Sequence, residues 1–136
     1  MERPQYLIDT NVVIDYLGKK LPPSGMEFMN NVIDSIPNVS VITKIEVLGY
    51  NSAGEYYELL TSFMEDATIF DLSNKVVEIS IDIRKNRKTK LPDVIIAATA
   101  LADGLILISR NIADFKNLQG LTVIDPHNLG ENKTTV

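Results

Sequence analysis

Gln5-Tyr6-Leu7-Ile8-Asp9-Thr10-Asn11-Val12-Val13-Ile14-Asp15-Tyr16-Leu17-Gly18 runs from a short apolar stretch into turn formers, then into a second apolar stretch that a glycine ends. Gln5 to Ile8 predicts a buried strand, because a short apolar run with no alternation has to be covered on both faces. Asp9, Thr10 and Asn11 are turn and helix-cap residues, whose short side chains can accept the free N–H groups of a starting helix. Val12 to Leu17 predicts that helix, and Gly18 its end.

The alternation continues outward. Pro22-Pro23-Ser24-Gly25 reads as a loop, and Met26 to Ser35 as a helix with Met26, Met29, Ile33 and Ile36 on one side. Val39 to Ile42 predicts the second strand, Thr43 to Tyr50 and Glu55 to Glu65 two helices, and Ala67 to Phe70 the third strand. Val76 to Lys88 is a long amphipathic helix with Val76, Ile79, Ile83 and Arg87 in register. Leu91-Pro92-Asp93 opens another helix, which stops at Gly104. Leu105 to Ile108 is a dense apolar strand, Ile112 to Phe115 a short helical turn, and Leu121 to Ile124 a last strand closed by Asp125-Pro126. Short strands that are apolar on both faces and alternate with helices imply an α/β protein of three layers, α/β/α, around a mostly parallel sheet of about five strands. Residues 1–128 read as a single domain, and 129–136 as a polar, flexible tail. Tyr50, Tyr56 and Tyr57 read as core or helix-packing residues, with an interface as the second reading.

A chain of 136 residues fits one domain, and 45% apolar residues suffice for a core. The absence of cysteine rules out disulfides, zinc thiolates and a thiol nucleophile, and fits a reducing cytoplasm. Met1-Glu2-Arg3-Pro4 has no signal-peptide pattern, and no apolar run nears the ~20 residues of a membrane helix. The expectation is a soluble cytoplasmic protein. Acids outnumber bases 18 to 13, for a net charge of −5, which by itself argues against nucleic acid as a partner. Bound cations can reverse that locally, turning a carboxylate cluster into a phosphate site.

In a parallel sheet, ligands bind beyond the carboxyl ends of the strands. Asp9 follows the first predicted strand, Glu46 lies in the first turn of the helix after the second, Asp93 opens the helix before the fourth, and Asp114 lies a few residues past it. Four carboxylates at one sheet edge would repel and raise one another's pKa values. Hard divalent cations with oxygen ligands resolve that conflict, and can orient and acidify a water for attack on phosphorus. Each acid also has a structural reading. Asp9 can cap a helix, Thr43-Lys44-Ile45-Glu46 fits a capping box, Asp93 suits the dipole of a first turn, and Asp114 can be a plain surface acid. A chance explanation must place all four at the same edge.

Leu7-Ile8-Asp9-Thr10-Asn11-Val12-Val13-Ile14-Asp15, Ser40-Val41-Ile42-Thr43-Lys44-Ile45-Glu46-Val47-Leu48-Gly49, Leu91-Pro92-Asp93-Val94-Ile95-Ile96-Ala97-Ala98-Thr99-Ala100 and Leu107-Ile108-Ser109-Arg110-Asn111-Ile112-Ala113-Asp114-Phe115 resemble, in order and interval, the four signature blocks of PIN domains. Together they span nearly the whole chain, and the likeness is greatest to VapC-type toxins of toxin–antitoxin pairs. The resemblance implies a Mg²⁺- or Mn²⁺-dependent endoribonuclease with Asp9, Glu46 and Asp93 as central acids and Asp114 as the more variable fourth. Some PIN domains place that acid where Asn111 stands. It also implies Thr10, Asn11, Thr43 and Asn111 as groups that hold the carboxylates, an RNA substrate, a cognate antitoxin and a homodimer.

The basic run Arg84-Lys85-Asn86-Arg87-Lys88-Thr89-Lys90 directly precedes Asp93. Arg84, Lys85, Arg87, Lys88 and Lys90 can contact RNA phosphates beside the acids, or simply form the solvated, dipole-favoured end of a helix. Arg110 can touch phosphate or pair with an acid, and both readings stay open. His127, after the last strand, has no catalytic role in this reading. Two further classes compete with the nuclease. One is a catalytically silent RNA- or protein-binding module on the same fold, which would bind without turnover. The other is a receiver- or phosphatase-like domain. The phosphatase pattern wants a second aspartate where Asn11 stands, and the receiver pattern wants a lysine that Ser109-Arg110-Asn111 does not supply.

Overall fold

A computed structural model describes residues 5–129 and 134–135. Five parallel strands form the sheet: β1 (Tyr6–Ile8), β2 (Asn38–Ser40), β3 (Thr68–Phe70), β4 (Ile106–Ile108) and β5 (Thr122–Ile124). Thr134–Thr135 form β6, antiparallel to β5, and the spatial order is β3-β2-β1-β4-β5-β6. Of the tail expected over residues 129–136, residues 130–133 and 136 lie outside the described residues. The helices are α1 (Thr10–Leu17), α2 (Pro23–Asp34), α3 (Val41–Leu48), α4 (Glu55–Asp66), α5 (Asn74–Asn86), α6 (Leu91–Asp103) and the single turn α7 (Ile112–Phe115).

The period of two along each strand sets the layers. Leu7 and Leu107 face a core shared with Val76 and Ile83 of α5, the buried length of α6, and Phe115 of α7. Ile8 and Ile108, next in each strand, face the opposite core, with Val12 and Val13 of α1, Met29 of α2, Val47 of α3 and Leu60 of α4. Helices therefore cover both faces, as the apolar strands require. α6 is buried at every position from Val94 to Ala100, and Gly104 ends it in the left-handed region (φ +66°), where a side chain would be strained.

Two boundaries differ from the sequence expectation. Val41 and Ile42 belong to α3 and not to β2: the Ser40 hydroxyl accepts the Ile42 N–H at 3.1 Å and starts the helix there, against the strand preference of the β-branched pair. Ser40 thus does the capping assigned to Thr43, and Glu46 lies in the second turn. Pro23, Ser24 and Gly25, expected as loop, form the first turn of α2, with proline placed where its missing N–H costs nothing. Gly25 is needed there, since a Cβ would meet the Pro126 carbonyl oxygen at 2.0 Å.

Tyr56 is half-buried, and its hydroxyl donates to the Ile14 carbonyl at 2.8 Å. Tyr50 and Tyr57 are instead largely exposed, although Tyr50 packs edge-on against Tyr56.

Candidate active site

The sheet order fixes where the site must be. From β1 the chain builds β2 and β3 on one side, then returns to lay β4 and β5 on the other. Beyond the carboxyl ends of β1 and β4 the flanking connections diverge and leave a crevice. Ile8 and Ile108 are paired in register, so the next residues, Asp9 and Ser109, meet at its floor.

Asp9 is 4% exposed. Its Oδ1 accepts the Thr10 N–H at 2.8 Å, capping α1, and its Oδ2 accepts the Ser109 hydroxyl at 2.7 Å. The capping and functional readings of this residue are therefore compatible. Burial pushes its pKa up from the ordinary 3.8 to about 6, and the negative charges of Asp93 and Glu46 push the same way. The bonds from Ser109 and Thr10 oppose them. Asp93, in the first turn of α6, is half-buried and also raised, by burial first and then by the charges of Asp114 and Glu46, with Lys90 opposing. Acids from four separate segments thus act on one another at a single edge.

Hydroxyls and an amide aim these carboxylates. The Thr10 hydroxyl donates to Glu46 Oε1 at 2.6 Å, and the buried Thr43 hydroxyl stands 3.1 Å from that of Thr10. Asn111 Nδ2 donates to Asp114 Oδ2 at 2.6 Å, while its backbone N–H donates to Ser109 Oγ at 3.0 Å. Asn11 is exposed on the first turn of α1. Ser109, absent from the sequence reading, joins the two halves of the network by donating to Asp9 and accepting from Asn111. Its signal was available: it follows β4 as Asp9 follows β1.

Glu46 and Asp114 are exposed. Among the described residues, no three acidic or imidazole side chains converge closely enough to hold an ion as they stand. The donor set nonetheless suits a hard divalent cation: oxygen donors, two of them with pKa values raised by burial and by neighbouring carboxylates, at the open end of a parallel sheet.

The basic residues part into two groups. Arg84 donates to the Thr89 carbonyl at 3.0 Å, and Arg87 forks onto the carbonyls of Lys116 (2.8 Å) and Asp114 (3.1 Å). Lys85, Lys88 and Lys90 are exposed. Arg110 pairs with Asp15 at 2.9 Å, and its side chain is half-exposed. Asp15, also absent from the sequence reading, is a buried acid on α1, and His127 Nε2 lies 3.4 Å from it. His127 therefore serves a charged cluster on the flank and stays outside the four acids.

This fold, with these acids at its switch point, defines a class. The chain belongs to the PIN domain family, whose model matches residues 6–121. Over 126 residues it is 31% identical to Ribonuclease VapC2 of Haemophilus influenzae, a match covering 86% of this chain and 94% of that one. Among solved structures, a toxin–antitoxin complex from Klebsiella pneumoniae contains a chain 30% identical, with a TM-score of 0.73 over 90% of this chain and 98% of the other. A chain of DNA-bound VapBC from Salmonella typhimurium shares the fold at 21% identity, with a TM-score of 0.72 over 91% and 99% of the two chains.

Proposed function

We propose that this chain is a metal-dependent endoribonuclease of the VapC kind, the toxin of a toxin–antitoxin pair, acting in the cytoplasm. The observation that carries this reading is that Asp9, Glu46, Asp93 and Asp114 come to one edge of the sheet, near enough for burial and one another's charges to raise the pKa values of Asp9 and Asp93. The similarity to proteins named ribonuclease and toxin–antitoxin complex supports RNA as substrate and an antitoxin as partner.

Asp9, Glu46, Asp93 and Asp114 would hold Mg²⁺ or Mn²⁺. The ion, one or two in number, supplies the positive charge that acidifies a water and neutralises a phosphate under in-line attack. The remaining roles belong to the chain. Ser109 and the Thr10 N–H fix both oxygens of Asp9. Thr10, backed by Thr43, presents Glu46. Asn111 presents Asp114. Such bonds keep carboxylates in one orientation and raise ion affinity. Glu46 and Asp114 are exposed, so both can reorient on their side-chain torsions to meet a cation. Lys85, Lys88 and Lys90 are the cations available to track an RNA backbone toward Asp93. Leu72 just before α5, Val77 and Ile81 on α5, and Leu91 at the start of α6 are exposed large apolar side chains that offer the surface for a homodimer. No helix among the described residues is long and apolar enough to cross a membrane.

The test is purified protein with a mixed structured RNA, in Mn²⁺ or Mg²⁺ and in chelator, alongside Asp93→Asn. Cleavage should need both the metal and Asp93, and the variant should keep the wild-type circular dichroism spectrum. Undiminished cleavage in chelator would refute the reading. RNA affinity without turnover, unchanged by Asp9→Asn, would make the chain a silent binding module.

A further inference from the structure

Arg87 stands in a run of bases and reads as a phosphate contact, yet its guanidinium is already engaged. Nη1 donates to the Lys116 carbonyl at 2.8 Å and Nη2 to the Asp114 carbonyl at 3.1 Å. The two acceptors lie at the end of α7, a helix of four residues. A single turn cannot sustain itself, and its last carbonyls have no partners within it. Phe115 anchors it by burial on one side, and Arg87 satisfies its carbonyls on the other. α7 also carries Asp114.

The other end of this tie matters as much. Arg87 is the C-cap of α5, and the four residues after it, Lys88 to Leu91, lead directly into the first turn of α6 and Asp93. One planar fork therefore joins the connection that delivers Asp93 to the turn that delivers Asp114. A planar guanidinium with two parallel donors fixes distance and angle together, which a lysine ammonium cannot do.

We infer that Arg87 is a positioning residue for the candidate ion site, setting the spacing between Asp93 and Asp114 by clamping α7 to the α5–α6 connection. The inference rests on the metal-dependent reading above.

The experiment is calorimetric titration of Mn²⁺ into the wild type, Arg87→Gln, Arg87→Lys and Lys75→Gln, with amide hydrogen exchange of the metal-free proteins. Lys75 is exposed on the same helix and controls for loss of one positive charge. Arg87→Gln should weaken Mn²⁺ binding about 10-fold, the lower end of what losing an orienting partner costs. Arg87→Lys, which keeps the charge and loses the fork, should fall between it and the wild type. Exchange at the Lys116 amide, which donates to the Ile112 carbonyl at 2.8 Å, should quicken in Arg87→Gln and stay unchanged in Lys75→Gln. If Arg87→Gln fails to fold, Arg87→Lys decides by the same two measurements. Wild-type Mn²⁺ affinity in both Arg87 variants, with slow exchange at Lys116, would overturn the inference. So would a defect confined to KM for RNA. A wild type that takes up no Mn²⁺ would instead fail the functional reading itself, and the inference with it.

Discussion

Asp9→Asn should stabilise the metal-free protein at neutral pH and not in acid. The folded-state pKa of Asp9, about 6, lies above its ordinary 3.8, so the folded chain holds this proton more tightly than the unfolded chain does. The associated stability is fully present below pH 3.8 and is lost as pH rises through about 6. At about 1.36 kcal/mol per pH unit, the gap between the two values corresponds to roughly 3 kcal/mol of penalty at pH 7.5. Asparagine carries no charge to desolvate and removes that penalty. It can still accept the Thr10 N–H, but its amide disturbs the bond from Ser109, at a cost of about 1 kcal/mol. The net gain at pH 7.5 is then about 1–2 kcal/mol, or roughly 4–8 °C in Tm for a domain of this size. At pH 4.5 only about 1 kcal/mol of penalty has developed, and gain and loss cancel. Thermal unfolding in chelator at the two pH values reads the difference. Added Mn²⁺ should then reverse the order at pH 7.5, by stabilising the wild type alone. A Tm change that is the same at both pH values, or a variant less stable at pH 7.5, would refute the assignment of Asp9 as a carboxylate whose burial penalises its charge.

Other substitutions probe the surroundings of the site. Ser109→Ala removes the hydroxyl that lowers the Asp9 pKa and also accepts the Asn111 N–H, so Mn²⁺ affinity should fall about 10-fold, read by calorimetry, with the fold retained. Arg110→Met leaves Asp15 buried with His127 as its remaining basic neighbour. Because Arg110 is half-exposed, the expected loss is about 1–2 kcal/mol in urea unfolding, well below that for breaking a fully buried pair. Gly25→Ala forces a methyl to within 2.0 Å of the Pro126 carbonyl oxygen and should cost about 3 kcal/mol or more, seen as a lowered urea midpoint with an unchanged slope.

The layers and the strand sequence were legible because strand periodicity is local: Leu7 and Ile8, or Leu107 and Ile108, declare two covered faces by themselves. The end of β2 was not. Val41 and Ile42 favour a strand by their own chemistry, and only the bond from the Ile42 N–H to Ser40 overrides them. The place of Asp9 was legible through the rule that residues following parallel strands face the sheet's open end, and that rule, applied to β4, reaches Ser109. Asp15 gave no such signal. It sits in the second turn of α1 among apolar residues, and its partners Arg110 and His127 come from 95 and 112 positions away, a proximity that only the folded sheet creates. The partners of Arg87 were hidden for the same reason: its neighbours in sequence are bases, but it donates to the carbonyls of Asp114 and Lys116, 27 and 29 positions away.

The bond between Ser109 and Asp9 spans 100 residues and closes the crevice between β1 and β4. That separation sets a timetable. During synthesis at about 5–20 residues per second, the floor of the site stays open for roughly 5–20 s after Asp9 has been made. β2 and β3, with α1 to α4, can dock on β1 in that interval, because their contacts are already in hand. The edge of β1 that will receive β4 waits unpaired meanwhile, and α6, the most buried helix, must precede β4 into place. A chain halted before Leu105 therefore carries three of the sheet's strands and Asp9, Glu46 and Asp93, but not β4, the strand that leads to Asp114. The molecule acquires its complete set of four acids only when about four-fifths of it has been translated.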